Sequence, residues 1–165
     1  MEIKSALTNR KGEKCDVVYR DISSEKELDG RKVSGVHAFC FHKNKIVVVF
    51  SETKGYWTPP GGAVEAGETP EEAVSREVLE ETNMKVVCQQ LIGYQDVFEP
   101  TRVVTQTRHM CIVEPLGAFE NDPDGDVTEI KLIDPAECKE YFDWGAVGER
   151  LIQRALAYVA TANPI

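Results

Sequence analysis

Apolar residues fall along this chain in two distinct rhythms. The runs KVSGVHAFCF at 32–41 and NKIVVVFS at 44–51 are dense in β-branched and aromatic side chains and read as strands, with the break at His42, Lys43 and Asn44 suited to a hairpin turn. MKVVCQQLIGYQDVF at 84–98 and RVVTQTRHMCIVEP at 102–115 read the same way, and FENDPDGDVTEIKLID at 119–134 is a turn-rich acidic loop that runs into a further strand. The rhythm changes to a helical one near the end of the chain. From Asp143, a plausible N-cap, the residues Trp144, Val147, Leu151, Ile152, Ala155 and Val159 recur at helical spacing and predict an amphipathic helix over 143–160. A second helix is marked by its start: Thr69 and Glu72 form a capping box and Pro70 takes the first helical position, which predicts a helix over 70–82 that ends near Thr82–Asn83. Strands before and after one central helix, followed by a closing helix, imply an α/β fold in which helices cover the faces of a mixed sheet.

Composition narrows the class. A chain of 165 residues, 42% hydrophobic and 28% charged, suits a single domain spanning 1–165. The N-terminal stretch MEIKSALTNRKGEK has no apolar segment of the signal-peptide type, and IVVVF at 46–50 is too short to cross a bilayer, so a cytoplasmic protein is expected. Cys15, Cys40, Cys88, Cys111 and Cys138 are widely spaced with no C-x-x-C pair, which favours buried free thiols over a disulfide framework or a zinc site. His37, His42 and His109 lack metal-type spacing and read as core or surface histidines. A net charge of −9 argues against duplex nucleic acid and anionic membrane as partners. A small-molecule partner is expected, and self-association into a homodimer is left open.

The charge is concentrated. Between residues 61 and 84 stand seven glutamates, Glu65, Glu68, Glu71, Glu72, Glu77, Glu80 and Glu81, against one base, Arg76. Glu77, Glu80 and Glu81 are spaced i, i+3, i+4 and share one helix face, where like charges four apart cost about 0.2–0.5 kcal/mol. A glutamate-rich face is ordinarily solvated surface, but that reading leaves PPGG at 59–62 without a role. Two prolines that cannot continue a ladder stand beside two glycines that let bare backbone approach a ligand. Carboxylates joined by a backbone carbonyl make a hard oxygen donor set suited to Mg²⁺ or Mn²⁺, ions that also bind substrate phosphates.

These residues resemble the Nudix box, G-x5-E-x7-R-E-U-x-E-E-x-G-U with U bulky and apolar. Gly62, Glu68, Arg76, Glu77, Val78, Glu80, Glu81 and Met84 match eight of the nine specified positions, and W-x-P-P-G-G upstream is also similar to the family. Asn83 stands where the family has glycine; asparagine is the non-glycine residue most at ease in a left-handed helix end. The resemblance implies a Nudix-type α/β/α sandwich with a curved mixed sheet. It further implies metal-dependent hydrolysis, by activated water, of a pyrophosphate bond in a nucleoside diphosphate derivative such as a nucleoside triphosphate, an oxidised nucleotide, ADP-ribose or a nucleotide sugar.

Carried over by position, Glu77, Glu80 and Glu81 form the metal face, with the Gly61 carbonyl as a further ligand. The catalytic work falls to Glu77 and Glu80, and Glu77 is also a candidate general base because the family places that role variably. Gly62, Glu68 and Arg76 support the site. A further acidic group is sought among Glu120, Asp122, Asp124, Asp126 and Glu129, and Trp57, Tyr56 and Phe41 are candidates for stacking on a base. The rival is a non-catalytic Nudix-like module that senses a nucleotide; loss of box carboxylates would favour it, and none is lost.

Overall fold

The computed structural model describes residues 1–162. Its strands are β1 (Glu2–Thr8), β2 (Lys14–Asp21), β3 (Val33–His42), β4 (Lys45–Ser51), β5 (Tyr56–Thr58), β6 (Gly61–Ala63), β7 (Met84–Phe98), β8 (Val103–Pro115) and β9 (Val127–Ile133), and its helices are α1 (Pro70–Thr82), α2 (Cys138–Tyr141) and α3 (Gly145–Ala162). The sheet runs β1-β2-β7-β8-β3-β4-β5, with β6 also on β3 and β9 also on β4. It is mixed because β3 and β8 run parallel from Val33 opposite Thr105 to Phe41 opposite Ile112, while the other pairs are antiparallel.

The hairpin break closes on two residues. Lys43 and Asn44 both take positive φ, 48° and 64°, the geometry whose twist suits a tight hairpin. β3 and β4 then pair only at Phe41–Ile46 and His42–Lys45 before they part. In the space so opened, β6 pairs with β3, setting Gly62 opposite Val36 and Gly61 opposite His37.

Side chains of β3 and β4 alternate between two cores. Phe39, Phe41, Ile46 and Val48 pack with Val147, Leu151, Ala155 and Val159 of α3. Val36, Ala38, Cys40, Val47 and Val49 pack with Ala73, Val74 and Val78 of α1. The sheet is thus covered on both faces, and the unbroken IVVV run follows from burial of every residue rather than every second one. The expected helix–sheet–helix sandwich is found.

Two expectations need correction. The sequence reading passed over β1 and β2: β1 buries no residue fully, and β2 does alternate, with Cys15, Val17 and Tyr19 buried, but over a short run flanked by charged residues. Their place is fixed by ladder pairing to β7 and by an anchor at the end of β2, where Arg150 of α3 donates to both oxygens of Asp21 at 3.2 and 2.6 Å. The thiols also divide: Cys15, Cys40, Cys111 and Cys138 are buried, whereas Cys88 is exposed. No helix among the described residues is long and apolar enough to cross a membrane.

Candidate active site

The capping box of α1 forms as the sequence requires: Thr69 Oγ1 accepts from the Glu72 N–H at 3.1 Å, and Glu72 Oε1 accepts from the Thr69 N–H at 3.2 Å. At the far end Asn83 sits at φ 55°, ψ 37°, its N–H donating to the Leu79 carbonyl. Asn83 does more than tolerate this conformation. Its Nδ2 donates to the Ala118 carbonyl at 3.1 Å, tying the helix end to the segment after β8.

Once α1 is docked, the face of Glu77 and Glu81 turns inward. Glu77 is 8% exposed and Glu81 7%, beside the core residues Ala73, Val74 and Val78, so the solvated-face reading fails for these two. Gly62 makes room for Glu77, and Gly61 lets the strand that carries both glycines lie close against β3. A side-chain carbon at Gly62 would collide with the Glu77 carboxylate, and one at Gly61 with the Val36 carbonyl. The Gly61 N–H donates to Glu81 Oε1 at 2.8 Å.

Arg76 organises the rest. It grips Glu68 through Nε to Oε2 at 2.7 Å and Nη2 to Oε1 at 3.0 Å, and Nη2 also reaches the Ala63 carbonyl at 3.0 Å. Its Nη1 meets Glu77 Oε1 at 2.9 Å and Glu80 Oε2 at 3.4 Å. The bidentate pair holds the Glu68 carboxyl down at about 2. Burial works in the opposite direction on the facing carboxylates. It pushes Glu81 up to about 8 against the pull of the Gly61 N–H, and Glu77 up to about 7 against Arg76. Glu80 is also raised by burial, with Arg76 opposing.

The acidic loop divides by use. Asp122 accepts from the Asp124 and Val127 N–H groups, and Asp126 from Ser51 and Thr53, so both carboxylates shape the loop. Both loop acids add negative potential at the box, Asp124 at Glu77 and Glu80 and Asp122 at Glu80 and Glu81, and of the two Asp124 is the exposed one. Among the described residues no three acids, histidines or cysteines form a closed cation cage. The donor set nevertheless fits a small hard cation, because Mg²⁺ takes one or two carboxylates and fills its remaining positions with water and substrate oxygens. Arg76 would have to release its weaker contacts to Glu77 and Glu80 while keeping Glu68.

The aromatic candidates are only partly brought together. Phe41 is 2% exposed in the core beneath α3 and cannot meet a base; its place in an apolar strand run already made burial the commoner fate. Tyr56 and Trp57 line a cavity of about 660 Å³ together with Tyr141, Phe142 and Trp144. Sequence reasoning missed the polar side of that cavity, His37, Gln95, Gln106 and Arg108, because no local spacing links them.

The NUDIX domain model matches residues 31–154. The chain belongs to the Nudix family. A MutT-like protein of Streptomyces ambofaciens is 32% identical over 97 residues, 58% of this chain and 59% of that protein. An uncharacterized Nudix hydrolase of Bacillus subtilis, YvcI, is 36% identical over 50 residues, 30% of this chain and 32% of that one. The matches thus span less than two thirds of either relative. Among solved structures, a Bacillus subtilis pyrophosphohydrolase superposes with a TM-score of 0.62 at 18% identity, covering 79% of this chain and 77% of its own, a likeness of fold. The matched Nudix segment contains the whole box and Arg108, while β1 and β2 extend the sheet ahead of it.

Proposed function

We propose that this Nudix protein hydrolyses a pyrophosphate linkage in a nucleoside diphosphate derivative, with Mg²⁺ or Mn²⁺ held by Glu77, Glu80, Glu81 and the Gly61 carbonyl. The observation that carries the reading is the inward turn of Glu77 and Glu81 against bare glycine backbone. Folding alone has no use for two buried carboxylates, one of them set so close to Gly62 that a side chain there would have to displace it. A divalent cation bound there supplies phosphate charge neutralisation and a lower pKa for attacking water.

The chain's own groups do the positioning. Glu77, braced by Gly62 behind it and Arg76 beside it, is oriented to accept a proton from water. Glu68 fixes Arg76, and Arg76 fixes the direction of Glu77 and Glu80. Of the loop acids, this reading assigns the assisting role to Asp124, which is exposed and adds negative potential at Glu77 and Glu80. Residues 1–165 are taken as one Nudix unit, since β1 and β2 lie in the same sheet as the matched segment. Five free cysteines suit a reducing compartment such as the cytoplasm. The net charge of −9 keeps duplex nucleic acid and anionic membrane outside the proposal.

The test is a panel of nucleoside triphosphates, oxidised nucleotides, ADP-ribose, nucleotide sugars and dinucleoside polyphosphates incubated with Mg²⁺, with phosphorylated products identified. A mononucleotide product that disappears with chelator is the expected result. Retained nucleotide binding with no turnover under either metal would replace the hydrolase by the sensing module.

A further inference from the structure

The cavity lies on the α3 side of the sheet, where His37 of its lining pairs across the ladder with Gly61, and it has the opposite electrical character to the carboxylate face. Arg108, on β8, is 2% exposed, and its guanidinium lies over the Trp144 ring at 5.3 Å. Nη1 donates to the Thr107 carbonyl and Nη2 to Gln106 Oε1, both at 3.1 Å, while Nε is buried with no partner. Gln106 Oε1 also accepts from Gln95 Nε2 at 3.1 Å, so two amides fix one edge of the guanidinium. Among the described residues no acid offsets the charge: burial draws the Arg108 pKa down to about 10, opposed by the Tyr19 phenol, and the group stays cationic at neutral pH.

Its neighbours reinforce this. His37 is half-buried, but its Nδ1 is buried and unpartnered, and desolvation, Arg108 and Lys54 hold the ring neutral. Lys54 lines the same cavity and adds positive potential at Glu81. The acid on the lining, Asp143, already accepts from the Gly145 N–H at 2.9 Å. A protein of net charge −9 therefore keeps a cationic cavity, and a buried guanidinium without a counter-ion is costly unless a ligand completes it.

We propose that this cavity is an anion subsite in which the Arg108 fork binds a phosphate oxyanion of the substrate other than the linkage held at Glu77, Glu80 and Glu81. The substrate would then carry a further phosphate, either at the end of a longer phosphate chain or as a monoester on its far side. This rests on the hydrolase reading only in taking the bound molecule to be substrate.

The experiment uses a built-in probe, since both tryptophans of the chain, Trp57 and Trp144, line the cavity. Inorganic tripolyphosphate, a nucleoside 3′-monophosphate and an uncharged nucleoside are titrated into the protein with chelator present, and tryptophan fluorescence is followed. Chelator removes the metal face from the measurement, so failure to hydrolyse anything would leave the result unaffected. A saturable response to tripolyphosphate assigns the chain end, and one to the monoester assigns the far side. In either case Arg108→Gln should weaken binding by about tenfold or more, and Arg108→Lys should restore part of it, because the charge returns without the fork. Circular dichroism checks that Arg108→Gln is folded, since the change also removes the bonds to the Thr107 carbonyl and Gln106. No saturable response to either phosphate, or equal affinity in Arg108→Gln, would overturn the subsite. An Arg108-dependent response to the uncharged nucleoside alone would overturn it in favour of base-edge recognition.

Discussion

The carboxylate face of α1 and the Arg108 cavity are both polar sites built beside β3, yet they solve opposite problems. On the first, burial raises the pKa of Glu77, Glu80 and Glu81 and a single arginine holds like charges together. In the second, a single arginine is buried, and among the described residues no acid pairs with it. On the reading proposed above the two sites complement each other, the first taking a cation and the second an anion, which a metal–phosphate substrate supplies together.

The hardest blow to the comparison falls on its acidic half. Glu77→Gln should reduce turnover by about 10²-fold or more, with the Mg²⁺-dependent rise in melting temperature reduced in parallel. An unchanged rate with an unchanged Mg²⁺ shift would leave the carboxylate face as mere packing.

Next in size is the arginine that holds the face together. Arg76→Ala releases Glu68, Glu77, Glu80 and the Ala63 carbonyl at once, and should cost about 3 kcal/mol, seen in urea denaturation. Arg76→Lys should recover only part, because an ammonium cannot reproduce the fork on Glu68. Equal stability of Arg76→Lys and wild type would show that charge alone, without geometry, holds the site.

The two halves also differ in their response to pH. The folded pKa values of Glu81, about 8, and Glu77, about 7, lie above the ordinary glutamate value, so in metal-free protein the folded state holds protons that the unfolded chain has released. Stability should accordingly be greater near pH 5 and decline as pH rises towards 8, by several degrees in melting temperature. Glu81→Gln should flatten that slope. Arg108 contributes nothing to it, because its pKa of about 10 lies above the window. A slope unchanged in Glu81→Gln would mean that the carboxylate stays ionised when buried.

The smallest effect is expected at the end of α1. Asn83→Gly keeps the left-handed φ but loses the bond to the Ala118 carbonyl, a net loss of about 0.5 kcal/mol. Asn83→Val loses that bond and must also force a β-branched residue to positive φ, so it should cost about 1–2 kcal/mol more. Identical thermal melts for the two variants would show that the helix end relaxes.

Much of the acidic half was legible in the chain. The capping box, the proline start, the asparagine end and the i, i+3, i+4 carboxylates are interactions among residues within a few positions of one another, so spacing encodes them. Strand β7 was read with its observed bounds and β8 to within one residue of its start, because each is long and apolar. The polar side of the cavity was not legible. His37, Gln95, Gln106 and Arg108 come from β3, β7 and β8, and Tyr141 and Trp144 from the chain beyond β9, so no window of sequence contains them together.

The sequence by itself thus determined the helix α1, the run of its carboxylates and the glycines that let them sit close to backbone, since these depend on short-range geometry and on what a residue lacking a Cβ permits. Only the tertiary structure decided that Glu77 and Glu81 face inward, that Phe41 belongs to the core, and that Arg108 is buried without an ion pair among the described residues. Burial is a property of what packs across the sheet. Here that is fixed by the parallel pairing of β3 with β8 and by α1 and α3 closing on opposite faces, long-range choices that local periodicity does not carry.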